Sequence, residues 1–468
     1  MAYGGYPLHA RGRAVARTRC RLLAMLPRAD EAQGAEAAVT KDFRRTHLDG
    51  HPLHPQTQMT AFGYDPALSE GAVKPPVFLT STFVFETAEQ GAEFFDVVAG
   101  RKPAPNGGGV GGLVYSRFNH PNLEIVEDRL ALYDHAEAAL ITSSGMAAIS
   151  AVALSYLRPG DTIVHYTPLY GGTETLFGKV FSQWGIQAVP FTDGTSADSL
   201  LNALEEAKRS GPVRMVYLET PANPTNAMID LALVRSTVNA WSGARGKRPI
   251  IVCDNTMLGP VFQQPLDFGV DICVYSLTKY VGGHSDLIAG AVTGARDVLK
   301  PVRQTRSAYG FQLDAHSCWM LARSMETLSL RMERAAESGV RVADWLATNP
   351  HIPCHILHPA HITTDRERAI YERQCSGPGS TFSFVVADDR TLAFRIINNL
   401  QIFKLAVSLG GTESLVCHPA STTHSGVPAE IRAVTGVHEG LIRVSVGLEH
   451  PDDLIRDLQQ AFRCAIGG

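Results

Sequence analysis

Two neighbouring stretches decide the fold: Ile250-Ile251-Val252-Cys253-Asp254-Asn255 and Asp271-Ile272-Cys273-Val274-Tyr275-Ser276-Leu277-Thr278-Lys279. Each contains an apolar, β-branched run typical of a buried strand and then passes into polar side chains. In an open α/β sheet, ligands bind beyond the carboxyl ends of the strands. The pattern therefore predicts that Asp254 and Lys279 lie at a ligand site.

The chain before these stretches alternates short apolar runs with segments of helix length. The predicted strands are Ala138–Thr142, Thr162–Tyr166 and Arg214–Leu218, and the predicted helices are Met146–Tyr156, Ser196–Ser210 and Leu231–Trp241. Strand and helix repeated in this order favour an α/β fold with a mostly parallel sheet, covered by helices on both faces.

The pattern changes on both sides of this region. Leu313–Ala347 has an apolar helical face and little turn chemistry, so we expect one long helix connecting two domains. Beyond it, the predicted strands Thr381–Val386 and Leu441–Val446 and the predicted helix Thr391–Leu400 favour a smaller α+β domain. The segment before residue 115 is rich in proline and glycine, and we expect it to be irregular.

Length and composition exclude several classes of protein. A chain of 468 residues is expected to form two or three domains. Its net charge of -4 gives no reason to expect nucleic acid or an anionic membrane as a partner. No run approaches the roughly 20 apolar residues of a membrane-spanning helix. The eight scattered cysteines are typical of buried thiols in a reducing compartment, so we expect a cytoplasmic protein.

The first 29 residues are rich in arginine and contain no acidic residue, a bias shared by some organelle transit peptides. They contain no apolar region long enough for a secretory signal. We expect a disordered extension or a start site placed too far upstream.

Two motifs are interpreted as coincidental. Gly107, Gly109 and Gly112 satisfy G-x-G-x-x-G, but no strand precedes them and no helix follows, as a dinucleotide site requires. The segment from His351 to His361 has the composition of a metal site, yet its prolines prevent one helix from presenting those side chains together. We expect no metal.

Lys279 and Asp254 together indicate imine chemistry. No G-x-x-x-x-G-K precedes Lys279, which excludes a nucleotide P-loop. A desolvated lysine can attack a carbonyl, and Ser276 and Thr278 can hold a phosphate beside it. An aspartate 25 residues earlier can pair with a pyridinium nitrogen and make the ring an electron sink. Ser144-Gly145-Met146, at a strand-to-helix junction, is a second candidate phosphate element, although an ordinary helix cap has the same pattern.

From about Val73 to the C-terminus, the sequence resembles the Cys/Met-metabolism family of pyridoxal-phosphate enzymes, which includes methionine γ-lyases, cystathionine γ-lyases and cystathionine γ-synthases. The matching motifs are Tyr115-Ser116-Arg117, Ser144-Gly145-Met146, Leu169-Tyr170-Gly171-Gly172-Thr173, Glu219-Thr220-Pro221-Ala222-Asn223-Pro224, Asp254-Asn255-Thr256, Ser276-Leu277-Thr278-Lys279-Tyr280 and Gly440-Leu441-Ile442-Arg443-Val444-Ser445. Their number and order make the resemblance specific.

The resemblance implies a type I fold, like that of aspartate aminotransferase, with pyridoxal 5'-phosphate as cofactor. It implies an N-terminal extension over residues 1–70, an arm at the subunit interface over 71–114, a cofactor-binding domain over 115–325 and a C-terminal domain over 326–468. The active unit is then a homo-oligomer, at least a dimer and usually a dimer of dimers, that acts on a small amino-acid substrate.

The resemblance also implies the roles of individual residues. Lys279 binds the cofactor as an imine and transfers protons, and Tyr170 stacks on the ring and serves as acid–base partner of the leaving group. The other implied cofactor residues are Asp254 at the pyridine nitrogen, Ser144, Gly145, Met146, Ser276 and Thr278 at the phosphate, and Tyr115 and Arg117 from a neighbouring subunit. Arg443 is expected to bind the substrate carboxylate, with Ser408 and Asn223 nearby.

Two positions bear on the substrate. Family members that act on cystathionine typically carry glutamate where this chain has Val407, and an apolar residue there is similar to methionine γ-lyases. Methionine γ-lyases usually carry cysteine where this chain has Gly172, and glycine is common in the cystathionine enzymes. We expect carbon–sulfur γ-elimination of a methionine-like amino acid, with cystathionine γ-lyase or a γ-replacement enzyme as alternatives.

A protein that binds the cofactor without catalysis is disfavoured because Lys279, Asp254, Tyr170 and Arg443 are all present.

Overall fold

The computed structural model describes residues 42–102, 112–243, 247–352 and 354–466. The arginine-rich start of the chain and most of the glycine-rich insert between Gly100 and Gly112 lie outside these ranges. The helices are α1 Pro55–Met59, α2 Ala88–Val98, α3 Pro121–Tyr133, α4 Gly145–Tyr156, α5 Gly171–Thr175, α6 Ala197–Ser210, α7 Leu231–Ser242, α8 Gly259–Phe262, α9 Arg296–Tyr309, α10 Ala315–Met325, α11 Leu328–Thr348, α12 Asp365–Gln374, α13 Arg390–Asn399, α14 Ala429–Val434 and α15 Pro451–Ile466. The strands are β1 His47–Leu48, β2 His51–Pro52, β3 Ala138–Thr142, β4 Thr162–Tyr166, β5 Gln187–Phe191, β6 Val213–Glu219, β7 Ile250–Asp254, β8 Ile272–Ser276, β9 Gly290–Gly294, β10 His355–Leu357, β11 Thr381–Val385, β12 Lys404–Leu405, β13 Leu415–Cys417 and β14 Leu441–Ser445.

A seven-stranded sheet in the order β3-β9-β8-β7-β6-β4-β5 forms the centre of the protein. Strands β4 to β8 pair in parallel, and β9 runs antiparallel to both of its neighbours, β3 and β8. The expected α/β fold with a mostly parallel sheet is confirmed. Parallel strands bring their carboxyl ends to one edge, so Glu219, Asp254 and Ser276, which end β6, β7 and β8, lie along the same edge.

Both faces of this sheet are buried. Successive side chains of a strand point to opposite faces. Ile251 accordingly joins a hydrophobic core on one face, and Val252 joins another core on the opposite face. Burial of one such side chain contributes roughly 1.5–3 kcal/mol, so the two cores hold the strand ends firmly in place.

A smaller five-stranded sheet in the order β10-β11-β14-β13-β12 lies in the C-terminal part of the chain. Ile442 and Val444 of its central strand, β14, are fully buried in a third hydrophobic core, with α13 and α15. Because neighbouring residues of a strand face opposite ways, Arg443 points away from that core.

The single long helix expected over Leu313–Ala347 is wrong, since α10 and α11 are separate. The carbonyl of Ser324 accepts hydrogen bonds from the Thr327 hydroxyl at 3.3 Å and from the Arg331 guanidinium at 2.9 Å. Side chains that bond nearby carbonyls in this way compete with the helical hydrogen-bond pattern. Helix α11 does contribute to two cores, through Leu328 near its start and Leu346 near its end.

The irregular segment expected before residue 115 contains a regular helix, α2. Thr87 caps its N-terminus, because its hydroxyl accepts the backbone N–H of Gln90 at 3.1 Å.

Within the described ranges, no helix is long and apolar enough to cross a membrane, and no group of three or more metal-binding side chains is arranged around a metal site.

Candidate active site

A cavity of about 240 Å³ lies where the strand ends of the central sheet approach the small sheet. Its walls come from the start of α4, from the ends of β6, β7 and β8, and from β14. The lining residues are Ser144, Gly145, Met146, Ile149, Tyr170, Glu219, Asn223, Asp254, Thr256, Met257, Ser276, Thr278, Lys279, Ile288, Val407, Leu409 and Arg443. The structure therefore brings together most of the predicted site residues.

Lys279 lies three residues beyond the end of β8. Its Nζ donates a hydrogen bond to Oγ of Ser408 at 3.1 Å, so Ser408 contacts the lysine directly. Burial, together with the nearby positive charge of Arg443, lowers the pKa of Lys279. A lower pKa increases the fraction of neutral amine, the form that attacks carbonyls and accepts protons.

Asp254 is a buried carboxylate at the end of β7. Its Oδ1 accepts the backbone N–H of Thr256 at 3.0 Å. Burial raises the pKa of Asp254, and the hydrogen bonds from Thr256 oppose that rise. A cationic group in the cavity would favour the ionised carboxylate. The side chain is therefore suited to pair with a protonated ring nitrogen.

The start of α4 forms one end of the cavity and is suited to bind an anion. Ser144 caps this 12-residue helix, since its Oγ accepts the backbone N–H of Ala147 at 3.0 Å. A side chain at Gly145 would place its Cβ 2.9 Å from Cβ of Ser276, so only glycine lets the helix approach β8 this closely. The free N–H groups of a helix N-terminus attract anions, and the hydroxyls of Ser276 and Thr278 line the same end.

Arg443 is buried, and its contacts fix its orientation. Nη1 donates to Oδ1 of Asn223 at 3.0 Å, while Nη2 donates to the carbonyls of Val407 at 3.2 Å and Ser408 at 3.1 Å. These partners are neutral, so the guanidinium charge is available to a carboxylate in the cavity.

Tyr170 and Val407 form the open wall of the cavity, with 43% and 57% of their surfaces exposed. Gly172 lies beside the tyrosine. A Cβ at position 172 would lie 2.6 Å from Cε1 of Tyr170 and 3.2 Å from Sδ of Met146. Because Gly172 has no side chain, the ring of Tyr170 and the sulfur of Met146 can pack this closely against it.

Tyr115 and Arg117 are not among the residues that line this cavity. Tyr115 is 40% exposed, and the guanidinium of Arg117 donates to the carbonyl of Ser307 at 2.6 Å and lies 4.5 Å from the centre of the Phe118 ring. Within one chain, these two residues belong to a different surface from Lys279.

Several lining residues have no role predicted from the sequence. The most informative is Glu219, whose Oε2 accepts the backbone N–H of Tyr170 at 2.8 Å and whose Oε1 accepts that of Asn223 at 3.0 Å. A carboxylate at the end of a strand is the signal that identified Asp254, and it could have identified Glu219. The other lining residues without a predicted role are Ile149, Thr256, Met257, Ile288 and Leu409.

Residues 56–463 match the family described as "Cys/Met metabolism PLP-dependent enzyme". The chain belongs to this family. The chain is 37% identical over 409 residues to an L-methionine gamma-lyase of Pseudomonas deceptionensis. The aligned region covers 87% of this chain and 96% of the relative. The chain is 34% identical over 414 residues to a cystathionine gamma-lyase of Bos taurus, covering 88% and 94%.

A solved structure of cystathionine gamma synthase from Xanthomonas oryzae pv. oryzae, in complex with aminoacrylate and cysteine, superposes on the Cys/Met metabolism enzyme with a TM-score of 0.78. It shares 31% identity and covers 89% of this chain and 99% of its own. The protein is thus a pyridoxal-phosphate enzyme of the type I fold, as the sequence predicted. These relatives are named for different reactions, so the family alone leaves the specific reaction open.

The cavity of the Cys/Met metabolism enzyme has the side chains that pyridoxal phosphate requires. The helix N-terminus at Gly145 suits the phosphate, the buried carboxylate of Asp254 suits the pyridine nitrogen, and the buried amine of Lys279 suits the aldehyde. All three groups face one cavity, so the residues present fit the cofactor.

Proposed function

We propose that this enzyme catalyses γ-elimination of a methionine-like sulfur amino acid, releasing a 2-oxo acid, ammonia and a thiol. The observation that carries the proposal is the apolar wall of Val407, Leu409 and Met257, which lines the same cavity as Lys279 and Arg443. A neutral thioether packs favourably against such a wall, whereas a charged distal group would find no partner of opposite charge among these three side chains.

The proposed roles of the cofactor residues follow from their positions. Lys279 holds the aldehyde of pyridoxal phosphate, Asp254 pairs with its ring nitrogen, and Tyr170 stacks on its ring. Ser144, Gly145, Met146, Ser276 and Thr278 bind its phosphate. When bound, the cofactor supplies a protonated ring that accepts the electron pair released at the substrate Cα.

The chain's own residues then position the substrate and move its protons. Arg443, oriented by Asn223, binds the substrate carboxylate in a bidentate pair. Once the substrate amine has displaced Lys279 from the cofactor, the neutral amine of Lys279, held by Ser408, would accept the proton from Cα and transfer it to the bound cofactor. The same amine would then accept the second proton, from Cβ. The phenol of Tyr170 donates a proton to the sulfur as the Cγ–S bond breaks, and water finally releases the 2-oxo acid and ammonia.

A second candidate is a reaction on cystathionine or an activated homoserine, as cystathionine γ-lyase or a γ-replacement enzyme. Gly172 favours it, because glycine at this position resembles the cystathionine enzymes.

We also propose that the active unit is a homo-oligomer, a dimer of dimers, located in the cytoplasm. Tyr115 and Arg117 lie outside the cavity of their own chain, which supports a role at the phosphate of a neighbouring subunit. In this proposal residues 71–114 form the interface arm, residues 115–325 the cofactor-binding domain and residues 326–468 the C-terminal domain.

A substrate panel tests the proposal. The purified holoenzyme is incubated with methionine, with cystathionine, and with O-succinylhomoserine in the presence and absence of cysteine. We expect 2-oxobutanoate and methanethiol from methionine at the highest kcat/KM. If 2-oxobutanoate forms from the homoserine ester but from neither methionine nor cystathionine, the proposed lyase activity is contradicted. Cystathionine formed from that ester and cysteine would identify a synthase.

A further inference from the structure

One buried carboxylate connects the two parts of the substrate-binding region. Glu219 ends β6, is only 4% exposed, and accepts one backbone N–H on each of its oxygens. We propose that Glu219 is a positioning residue for both Tyr170 and Asn223, so that one side chain aligns the acid–base phenol with the carboxylate-binding guanidinium. The inference rests on the proposed roles of Tyr170 and Arg443.

The first connection runs to Tyr170. The aromatic side chain of this residue is 43% exposed, so packing alone holds it weakly. Its backbone N–H donates to Oε2 of Glu219 at 2.8 Å, across 49 residues of sequence. This bond anchors the tyrosine's backbone to the end of a central strand, which determines where the phenol can reach.

The second connection runs through Asn223 to Arg443. The backbone N–H of Asn223 donates to Oε1 of Glu219 at 3.0 Å, and Oδ1 of the same residue accepts Nη1 of Arg443 at 3.0 Å. Arg443 is otherwise held by two backbone carbonyls that contact Nη2. Loss of the Glu219 bond would loosen Asn223, so the guanidinium would be held mainly by its two Nη2 contacts.

The surroundings of Glu219 determine which substitutes can replace it. Glu219 and Asp254 are direct neighbours in the β6–β7 register, and both are buried. Burial, followed by the charge of Asp254, raises the pKa of Glu219, and the two N–H donors oppose that rise by stabilising the carboxylate. Both oxygens accept hydrogen bonds from N–H groups, so a glutamine would present its amide nitrogen to one of them and keep only one bond.

The test measures the binding of glycine, which has the α-amino and α-carboxylate groups of a substrate but no γ-substituent. Its affinity is read from the change in absorbance of the bound cofactor in the holoenzyme. We expect Glu219→Ala and Asn223→Ala each to raise the glycine Kd about 10-fold, as loss of one hydrogen bond in a charged cluster predicts. The double variant should bind no more weakly than Asn223→Ala alone, because both changes disrupt the same connection.

Glu174→Ala is the matched control. Glu174 also supports the loop before Tyr170, since its Oε1 accepts the Thr167 hydroxyl at 2.9 Å and the Leu169 N–H at 3.0 Å. It has no bond to Asn223, so glycine affinity should stay at the wild-type value. If Glu219→Ala proves unable to fold, Glu219→Met fills a similar volume without an oxygen acceptor for Asn223 and should still show a weaker glycine affinity.

A wild-type glycine Kd in the Glu219 variants overturns the inference. Additive losses in the Glu219→Ala/Asn223→Ala variant also overturn it, because they would mean that the two residues act separately. Glycine lacks the leaving group, so these outcomes do not depend on which γ-substituent the enzyme removes. Failure of the proposed substrate and failure of the positioning role are therefore distinguishable.

Discussion

The two ends of the active-site cavity are built in different ways. The cofactor end comes from one sheet and one helix: Gly145 starts α4, Asp254 ends β7, and Lys279 follows β8. The substrate end combines Asn223 with Arg443, which lie 220 residues apart and belong to different parts of the fold. Val407, at the substrate end, is more than half exposed, whereas Asp254 is buried.

This difference between the two ends of the cavity explains how members of the family can keep one cofactor and differ in their reactions. Regular backbone packed between two hydrophobic cores fixes the cofactor end. Long-range side-chain contacts and loop residues fix the substrate end, where one substitution can alter shape or charge without disturbing the sheet. Substitutions at the cofactor end should therefore lower kcat, and those at the substrate end should change KM and substrate preference.

The largest effect is expected for Asp254→Asn. An amide cannot supply the negative charge that stabilises a protonated ring, so kcat should fall by about 100-fold with little change in KM. Steady-state kinetics of the holoenzyme measure both constants. Asp134→Asn is the control, since Asp134 is another buried carboxylate and accepts hydrogen bonds from Tyr275 and Thr293 away from the cavity. It should lower Tm and leave kcat unchanged; an equal loss of kcat in both variants would refute a specific role of Asp254.

An intermediate effect is expected for Arg443→Lys. A lysine ammonium is a point charge and cannot reproduce the planar fork of the guanidinium, so KM should rise roughly 10- to 100-fold while kcat falls less. Initial rates over a range of substrate concentrations give both constants. An unchanged KM would show that the substrate carboxylate binds elsewhere.

Arg443→Gln extends this prediction to pH. The positive charge of Arg443 helps to lower the pKa of Lys279, so removal of that charge should raise the pKa of Lys279. Fewer lysine side chains are then neutral at a given pH, and the acidic limb of the kcat profile should move to higher pH. Arg443→Lys keeps the charge and should leave that limb in place. The same pH profile in both variants would contradict this electrostatic coupling.

The smallest effect is expected for Val407→Glu. A carboxylate on this half-exposed wall costs little stability, but it disfavours an apolar thioether and favours a substrate with a distal ammonium group. We expect kcat/KM for methionine to fall about 10-fold and the ratio of cystathionine to methionine activity to rise. Competition between the two substrates measures that ratio directly. A ratio equal to that of the wild type would remove Val407 from the determinants of specificity.

Much of the central sheet could be predicted from sequence, because its strands are β-branched runs bounded by turn residues. Two strands gave no such signal. β5 contains Pro190, which a sheet tolerates at its edge, where β5 lies. β9 begins at Gly290, where a Cβ would lie 2.1 Å from the carbonyl oxygen of Ser144, so a weak strand former is required beside the helix start.

The site was predictable where its residues end strands and unpredictable where distant backbone groups meet. Asp254 and Lys279 follow from their strands, and Arg443 from the family motif. The role of Glu219 depends on the N–H groups of Tyr170 and Asn223, and no local sequence pattern indicates a bond to a backbone group 49 residues away. The break between α10 and α11 was likewise missed because it depends on which side chains reach the carbonyl of Ser324.

The most direct test of this account is the identity of the lysine that holds the cofactor. Borohydride reduces an imine to a stable amine, so the reduced holoenzyme can be digested and its modified peptide located by mass spectrometry. We predict a single modified site, at Lys279, and no modification in a Lys279→Ala variant. Modification of a different lysine, or an unmodified Lys279 in reduced wild-type holoenzyme, would contradict the account.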